Sequence, residues 1–577
     1  MRRLFCLTVV LLAACSRPTP GDTTAHDLVI RGGTIFDGSG DEGYAGDVVV
    51  DGDRIVYVGK SRGDGAKNII DATGKAVAPG FINMLSWATE SLIADGRGQS
   101  DLRQGITLEV FGEGNSGGPL TPEMKVLAKQ RQTDIRYDIT WTSLNEYLEH
   151  LQNQGIAPNV ASFIGAETTR VNVLGESDVD PTPAQLDAMR GLVRAAMEEG
   201  ALGVGASLIY APGTFAETDE LVAISAEAAR CGGMYIAHMR SEGERLLEAI
   251  DETVEIARRA QIPVEIYHLK AAGRGNWNKL DAAIERIEKA RAEGLRVTTD
   301  MYTYVAGATG LDAAMPTWVQ AGGVEQWVKR LRDPKIRARV AAEMRSPGKD
   351  WENLYYGAGG AENVLLIGFG SEKLKPLTGK RLSEVASMRG VSPEDAAIDL
   401  VIEDGTRIET VYFLMSEDNV RRQIKLPYMS FGSDAEAAAP EGVFLGQSTH
   451  PRAYGNFARL LGRYVRDERL ISLQEAVRRL TSLPASNLGL RDRGRLAAGY
   501  FADVVVFDPA TIQDHATFER PQQYSTGVSH VVINGGLALA DGEPTGKHTG
   551  RVVRGQGWKG WPDGGCRASA TDWRARH

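Results

Sequence analysis

The chain has 577 residues, 42% of them hydrophobic, and a net charge of −10. That length calls for several domains or one large barrel with additions, and the apolar fraction suits a well-packed core. Acidic and basic residues are interspersed, with no basic run long enough to suggest nucleic acid, and the 66 glycines suit a loop-rich α/β or β-rich enzyme.

The first twenty residues, MRRLFCLTVVLLAACSRPTP, place Arg2 and Arg3 before an apolar run from Leu4 to Leu12. That pattern predicts a secretory leader over residues 1–15, too short for a spanning helix. The Leu12-Ala13-Ala14-Cys15 ending resembles a bacterial lipobox. The resemblance implies a lipid anchor through Cys15, with plain cleavage near Ala14 as the alternative. Ser16 after the cysteine implies, by analogy with lipoprotein sorting, an outer-membrane location facing the periplasm. Residues 16–26 read as a tether. Cys231 and Cys566 then remain, and export permits a disulfide between them without requiring one.

Residues 27–78 read as short strands with Gly and Asp turns, and residues 484–550 have the same texture. The two ends are expected to form one β-sandwich around an inserted body. Within residues 79–483, eight candidate strands alternate with helical stretches: 75–85, 105–113, 159–166, 200–207, 233–239, 264–270, 296–302 and 428–434. This order predicts an α/β fold, a (β/α)8 TIM-like barrel. The long gap before the last strand predicts an inserted helical subdomain at about 306–410, a candidate lid. Residues 551–577 are expected to be a C-terminal tail.

In such a barrel, chemistry sits at the C-terminal ends of the strands. His238, His268 and Asp434 all fall there. Two imidazoles and a carboxylate suit a borderline metal, with Zn2+ the default. Each His has a plainer reading as a packed polar group, and Asp434 one as a helix N-cap. Arg240 and Glu242 follow His238 and are candidates to orient it, or else form a surface ion pair. His450 and Arg452 lie after the last strand, either near the mouth of the site or in structural packing.

AHMRSE (237–242), YHLKAAG (267–273), FGSDAE (431–436) and HPRAYGNFARLLGRYVR (450–466) resemble the D-aminoacylases, N-acyl-D-amino-acid deacylases of the amidohydrolase superfamily. GALGVGASLIYAPG (200–213) and residues 480–509 do so too, and the resemblance runs over about 27–545. It implies metal ligation by His238 and His268, catalysis by Asp434, a carboxylate contact from Lys270, and a pocket lined by Tyr210 and Tyr302. The chain departs from the family in two places. Where the family carries a His-x-His pair after Pro-Gly-Phe-Ile-Asp, this chain reads APGFINMLSW, with Leu85 and Trp87 in the two positions and Asn83 for the Asp. The family's bridging cysteine falls at Gly114, beside Glu113. A single Zn2+ held by His238, His268 and Glu113 is therefore expected, or the metal is lost. Leu85 and Trp87 would then form an apolar wall for an acyl chain or fill the vacated space. The family's serine after the strand-7 tyrosine falls at Ala308, which removes one carboxylate contact.

The expected function is metal-dependent hydrolysis of the N-acyl amide of an N-acyl-D-amino acid or related compound. Two alternatives stay open: an amidohydrolase of cyclic amides or dipeptides, and a catalytically degenerate lipoprotein that binds envelope ligands.

Overall fold

The computed structural model describes residues 25–567. The leader, Cys15 and residues 568–577 lie outside the described residues.

Five strands open the described chain: β1 (His26–Ile35), β2 (Tyr44–Asp51), β3 (Arg54–Gly59), β4 (Ala66–Asp71) and β5 (Ala76–Pro79). The barrel follows with β6 (Phe81–Asn83), β7 (Ile106–Phe111), β8 (Asn159–Ser162), β9 (Ile164–Gly165), β10 (Gly203–Ser207), β11 (Met234–His238), β12 (Val264–Ile266) and β13 (Val297–Met301). β8 and β9 are two pieces of one strand broken at Phe163. Pairing is parallel from β6 to β8 and from β9 to β13. Phe163 donates its N–H to Phe111 O at 2.8 Å and carries the sheet across the break. Every residue of β7, β10 and β11 is buried, as a parallel sheet covered on both faces requires.

A second group of strands, β14 (Gly307–Gly310), β15 (Val364–Gly368) and β16 (Glu409–Tyr412), forms a separate antiparallel sheet in the order β14-β16-β15. β17 (Met429–Phe431) then returns to the barrel beside β13. Met84 N–H donates to Phe431 O at 3.2 Å, and Ser86 bridges Ala435, which closes the barrel on β6. The fold is the (β/α)8 barrel that the strand spacing predicts.

The covering helices show why the sequence alternates as it does. Leu246–Ala260 buries Leu246, Ala249, Ile250, Thr253, Val254, Ile256, Ala257 and Ala260, a stripe at three- and four-residue spacing with charges on the other side. Pro183–Glu199 starts at Thr182, whose side chain accepts from Gln185 N–H while Gln185 caps in return, and it stops at left-handed Gly200.

The insertion differs from its expectation. It is not purely helical: the β14-β16-β15 sheet packs with helices around its own core, which includes Leu311, Trp327, Leu331, Val340, Leu366 and Val401. The paired strands are far apart in the chain, Gly307–Gly310 and Val364–Gly368 both joining Glu409–Tyr412, so no hairpin turn marks their pairing locally.

The chain closes with β18 (Val504–Phe507), β19 (Val528–Ile533), β20 (Gly536–Ala540) and β21 (Glu543–Pro544). β18 pairs antiparallel with β5, so both chain ends share one nine-stranded sheet. Its core draws Leu28, Ile30, Val48 and Val50 from one end and Val504, Val506 and Val532 from the other. Residues 551–567, expected to be a tail, are a packed strap. Val553 N–H donates to Val160 O at 2.8 Å, Lys559 N–H donates to Glu198 O at 2.9 Å, and a disulfide joins Cys566 to Cys231. Such a strap lacks periodicity because it borrows its backbone partners from elements already folded.

Candidate metal centre

The site is built at the C-terminal rim of the barrel. β7 ends at Phe111, and Gly112 and Gly114 adopt φ of +109° and +69° on either side of Glu113. A Cβ on Gly112 would come within 2.5 Å of Phe163 O, so the turn excludes other residues both by conformation and by space. That turn swings Glu113 inward. His238 ends β11. His268 follows β12 with φ +32°, held by its N–H, which donates to Asp300 Oδ1 at 2.7 Å. Asp434 follows β17 with φ +51°, and its N–H donates to Leu85 O at 2.8 Å. Two non-glycine residues in left-handed conformation cost roughly 1 kcal/mol or more each, so the packing around them must hold them there.

Glu113 Oε1 lies 3.1 Å from His238 Nδ1 and 3.1 Å from His268 Nε2. All three side chains are buried. Among the described residues, this is the grouping of His, Cys, Asp and Glu atoms close enough to share a metal ion. The two Glu113–histidine separations match zinc. Bonds of about 2.0–2.1 Å in tetrahedral geometry set ligand atoms roughly 3.3 Å apart, and three protein ligands leave one position open.

Glu242 backs both imidazoles. Its Oε2 lies 3.5 Å from His238 Nε2, which has no hydrogen-bond partner, and its Oε1 lies 2.9 Å from His268 Nδ1. Lys270 Nζ sits 2.6 Å from the same Oε1 and 2.8 Å from His268 Nδ1. Burial would push the Glu113 carboxyl up, but the His238 and His268 hydrogen bonds outweigh it and hold it well below the usual range. Burial likewise opposes ionisation of Glu242, and Lys270, His238 and His268 together outweigh it there. Both stay ionised, as ligand and ligand-orienting carboxylates must.

Asp434 stands across from this cluster. Arg452 Nη1 lies 2.8 Å from its Oδ2, and the Arg452 guanidinium sits 4.5 Å from the centre of the Tyr302 ring. Burial raises the Asp434 pKa against the pull of Arg452. No helix begins at Asp434, which removes the N-cap alternative. Tyr210 packs edge-on to His238 at 5.3 Å, and Tyr302 to His268 at 6.3 Å. Ala308 lines the cavity but brings no hydroxyl.

Other expected positions come out differently. Arg240 does not reach His238: its guanidinium is taken by Glu252 and by the carbonyls of Thr214 and Ala216. Leu85 forms no pocket wall. It is fully buried in a core cluster with Ile82, Met84, Leu108 and Val110. Trp87 does face the cavity, but it presents a polar edge. Its indole N–H points at Glu113 Oε2 (3.0 Å) and Asp434 Oδ1 (3.2 Å). His450 is buried, donating through Nε2 to Ala306 O while Nδ1 accepts from Arg452 N–H, and it is held neutral by burial and by Arg452.

The site opens into a cavity of about 1130 Å³ that also reaches residues of the insertion, Asp312, Arg407 and Glu409 among them.

The model of the amidohydrolase family matches residues 68–538. The chain belongs to the amidohydrolase family. It is 32% identical to D-aminoacylase of Alcaligenes xylosoxydans xylosoxydans, over 92% of this chain and 98% of the relative. It is 31% identical to N-acyl-D-glutamate deacylase of the same organism, over 92% and 96%. Among solved structures, N-acyl-D-glutamate deacylase from Bordetella bronchiseptica, complexed with zinc and a phosphonate inhibitor that mimics the tetrahedral intermediate, superposes with a TM-score of 0.74 at 30% identity. That match covers 92% of this chain and 100% of the other. This amidohydrolase is thus a divergent relative of the D-aminoacylases in which Glu113, His238 and His268 come together at the barrel rim.

Proposed function

We propose that this amidohydrolase is a zinc-dependent deacylase of N-acyl-D-amino acids, exported and anchored by lipid at Cys15. The observation that carries the catalytic reading is the convergence of Glu113 Oε1, His238 Nδ1 and His268 Nε2, with Asp434 linked to Glu113 through one indole N–H. The anchor rests on the leader sequence alone.

Glu113, His238 and His268 would hold the ion, and Glu242 would fix the ring orientation of both histidines. A zinc ion there supplies a Lewis acid and lowers the pKa of water toward neutrality. Asp434 accepts a proton from the attacking water and hands it to the departing nitrogen. An amide nitrogen leaves poorly unless protonated, so this transfer has to come from a group at the reacting atoms. Arg452 and Trp87 fix the Asp434 carboxylate for that transfer. Lys270 keeps protons beyond the one given to Glu242, and with Tyr302 it offers a cation and a hydroxyl to the substrate carboxylate.

A panel of N-acyl-D-amino acids with their L counterparts, cyclic amides and D-dipeptides tests this. The expected result is amine release from N-acyl-D-amino acids, lost on chelation and restored by zinc. Release from cyclic amides or dipeptides instead would reassign the substrate, and no turnover of any member would refute the deacylase.

A further inference from the structure

Trp87 is unusual company for two carboxylates. It is 38% exposed to the cavity, yet its one polar atom is spent on the site: Nε1 lies 3.0 Å from Glu113 Oε2 and 3.2 Å from Asp434 Oδ1. An indole has a single N–H and no acceptor, so one proton serves both oxygens as a three-centre bond. The other oxygen of each carboxylate is already assigned. Glu113 Oε1 faces the two histidines, and Asp434 Oδ2 faces Arg452.

We infer that Trp87 is a positioning residue, which ties the metal-holding carboxylate to the proton-carrying one. The inference rests on the deacylase reading above and deepens it. Its physical content is threefold. A carboxylate that ligates through one oxygen needs its second oxygen held, or it rotates away; outer partners of this kind typically carry 10–100-fold in metal affinity or activity. Two carboxylates facing each other in a buried site repel, and a shared donor offsets part of that repulsion. A charge-assisted bond to a rigid, two-torsion side chain also fixes the distance between the ion and the proton acceptor, which general-base transfer requires.

The backbone supports the same arrangement. Trp87 N–H donates to Ala435 O at 3.0 Å, and Asp434 N–H donates to Leu85 O at 2.8 Å, so the strand end carrying Trp87 and the one carrying Asp434 are stitched on both sides of the site. The two strand ends are therefore held in fixed register, one carrying the indole and the other Asp434.

Trp87→Phe keeps the ring and deletes the donor. Zinc affinity, measured by competition with a chromogenic chelator, is expected to weaken about tenfold or more, and kcat for the preferred N-acyl-D-amino acid to fall by a similar factor with KM within about twofold. Trp87→Gln returns an N–H and is expected to recover part of both. Leu85→Ala, in the core two residues away, is expected to lower Tm while leaving zinc affinity and kcat of the folded enzyme as in the parent. A Trp87→Phe protein with parental zinc affinity and kcat would overturn the inference, and so would Trp87→Gln losing as much as Trp87→Phe. A parent that binds zinc and turns over, beside an unaffected Trp87→Phe, refutes the positioning role alone; a parent that takes up no zinc refutes it together with the deacylase.

Discussion

Asp434 carries the heaviest chemical demand of any single side chain here. It is only partly exposed, sits in left-handed backbone, and is held at one oxygen by Arg452 and at the other by Trp87. An Asp434→Asn change preserves shape and removes the ability to take a proton. We expect kcat to fall by about 10²–10⁴-fold, the usual span for a general acid–base group, with zinc content unchanged. Steady-state kinetics beside elemental analysis checks both at once. Retained kcat would mean that another group moves the proton. At this scale the sequence was partly transparent. His238, His268 and Asp434 could be named because strand ends are legible from alternation. Glu113 needed the family resemblance and the glycines beside it. The Trp87 N–H was invisible, because its targets lie 26 and 347 positions away in the chain and depend on where the indole edge turns. Arg240 failed for a related reason: Glu252, in the second turn of the next helix, competes for its guanidinium.

Elements place these groups, and the turn after β7 does most to bring Glu113 beside His238 and His268. Gly112→Ala introduces a Cβ within 2.5 Å of the Phe163 carbonyl at φ +109°. We expect a destabilisation of about 1–3 kcal/mol together with reduced zinc content, because relief of the clash moves Glu113. Gly379→Ala also starts from positive φ, at +84°, but meets open space; it should cost stability alone. Thermal melts paired with metal analysis separate the two, and equal zinc content in both variants would detach Glu113 placement from the Gly112 turn. The alternation of strand and helix was readable because buried parallel strands are continuous apolar runs and their covering helices are striped. The sheet inside the insertion was not, since its strands are brought together by long-range pairing that leaves no local mark.

Across the whole molecule, the barrel and the insertion converge on one cavity. The Glu113, His238 and His268 cluster lies at the rim of the barrel, and the insertion contributes the far wall through Asp312, Arg407 and Glu409. Both chain ends meet in one sheet, and the Cys231–Cys566 disulfide fastens the strap that follows it. The departure at FINMLSW therefore does not dissolve the site; Leu85 goes into the core while Trp87 turns its N–H to Glu113 and Asp434. The central claim is that Glu113, His238 and His268 hold a metal ion. Elemental analysis of protein lacking residues 1–15, beside Glu113→Ala and His238→Ala, tests it most directly. About one zinc per chain in the parent, lost from both variants, is the predicted result; a parent without bound metal after zinc supplementation, or a Glu113→Ala protein that keeps its zinc, would contradict it.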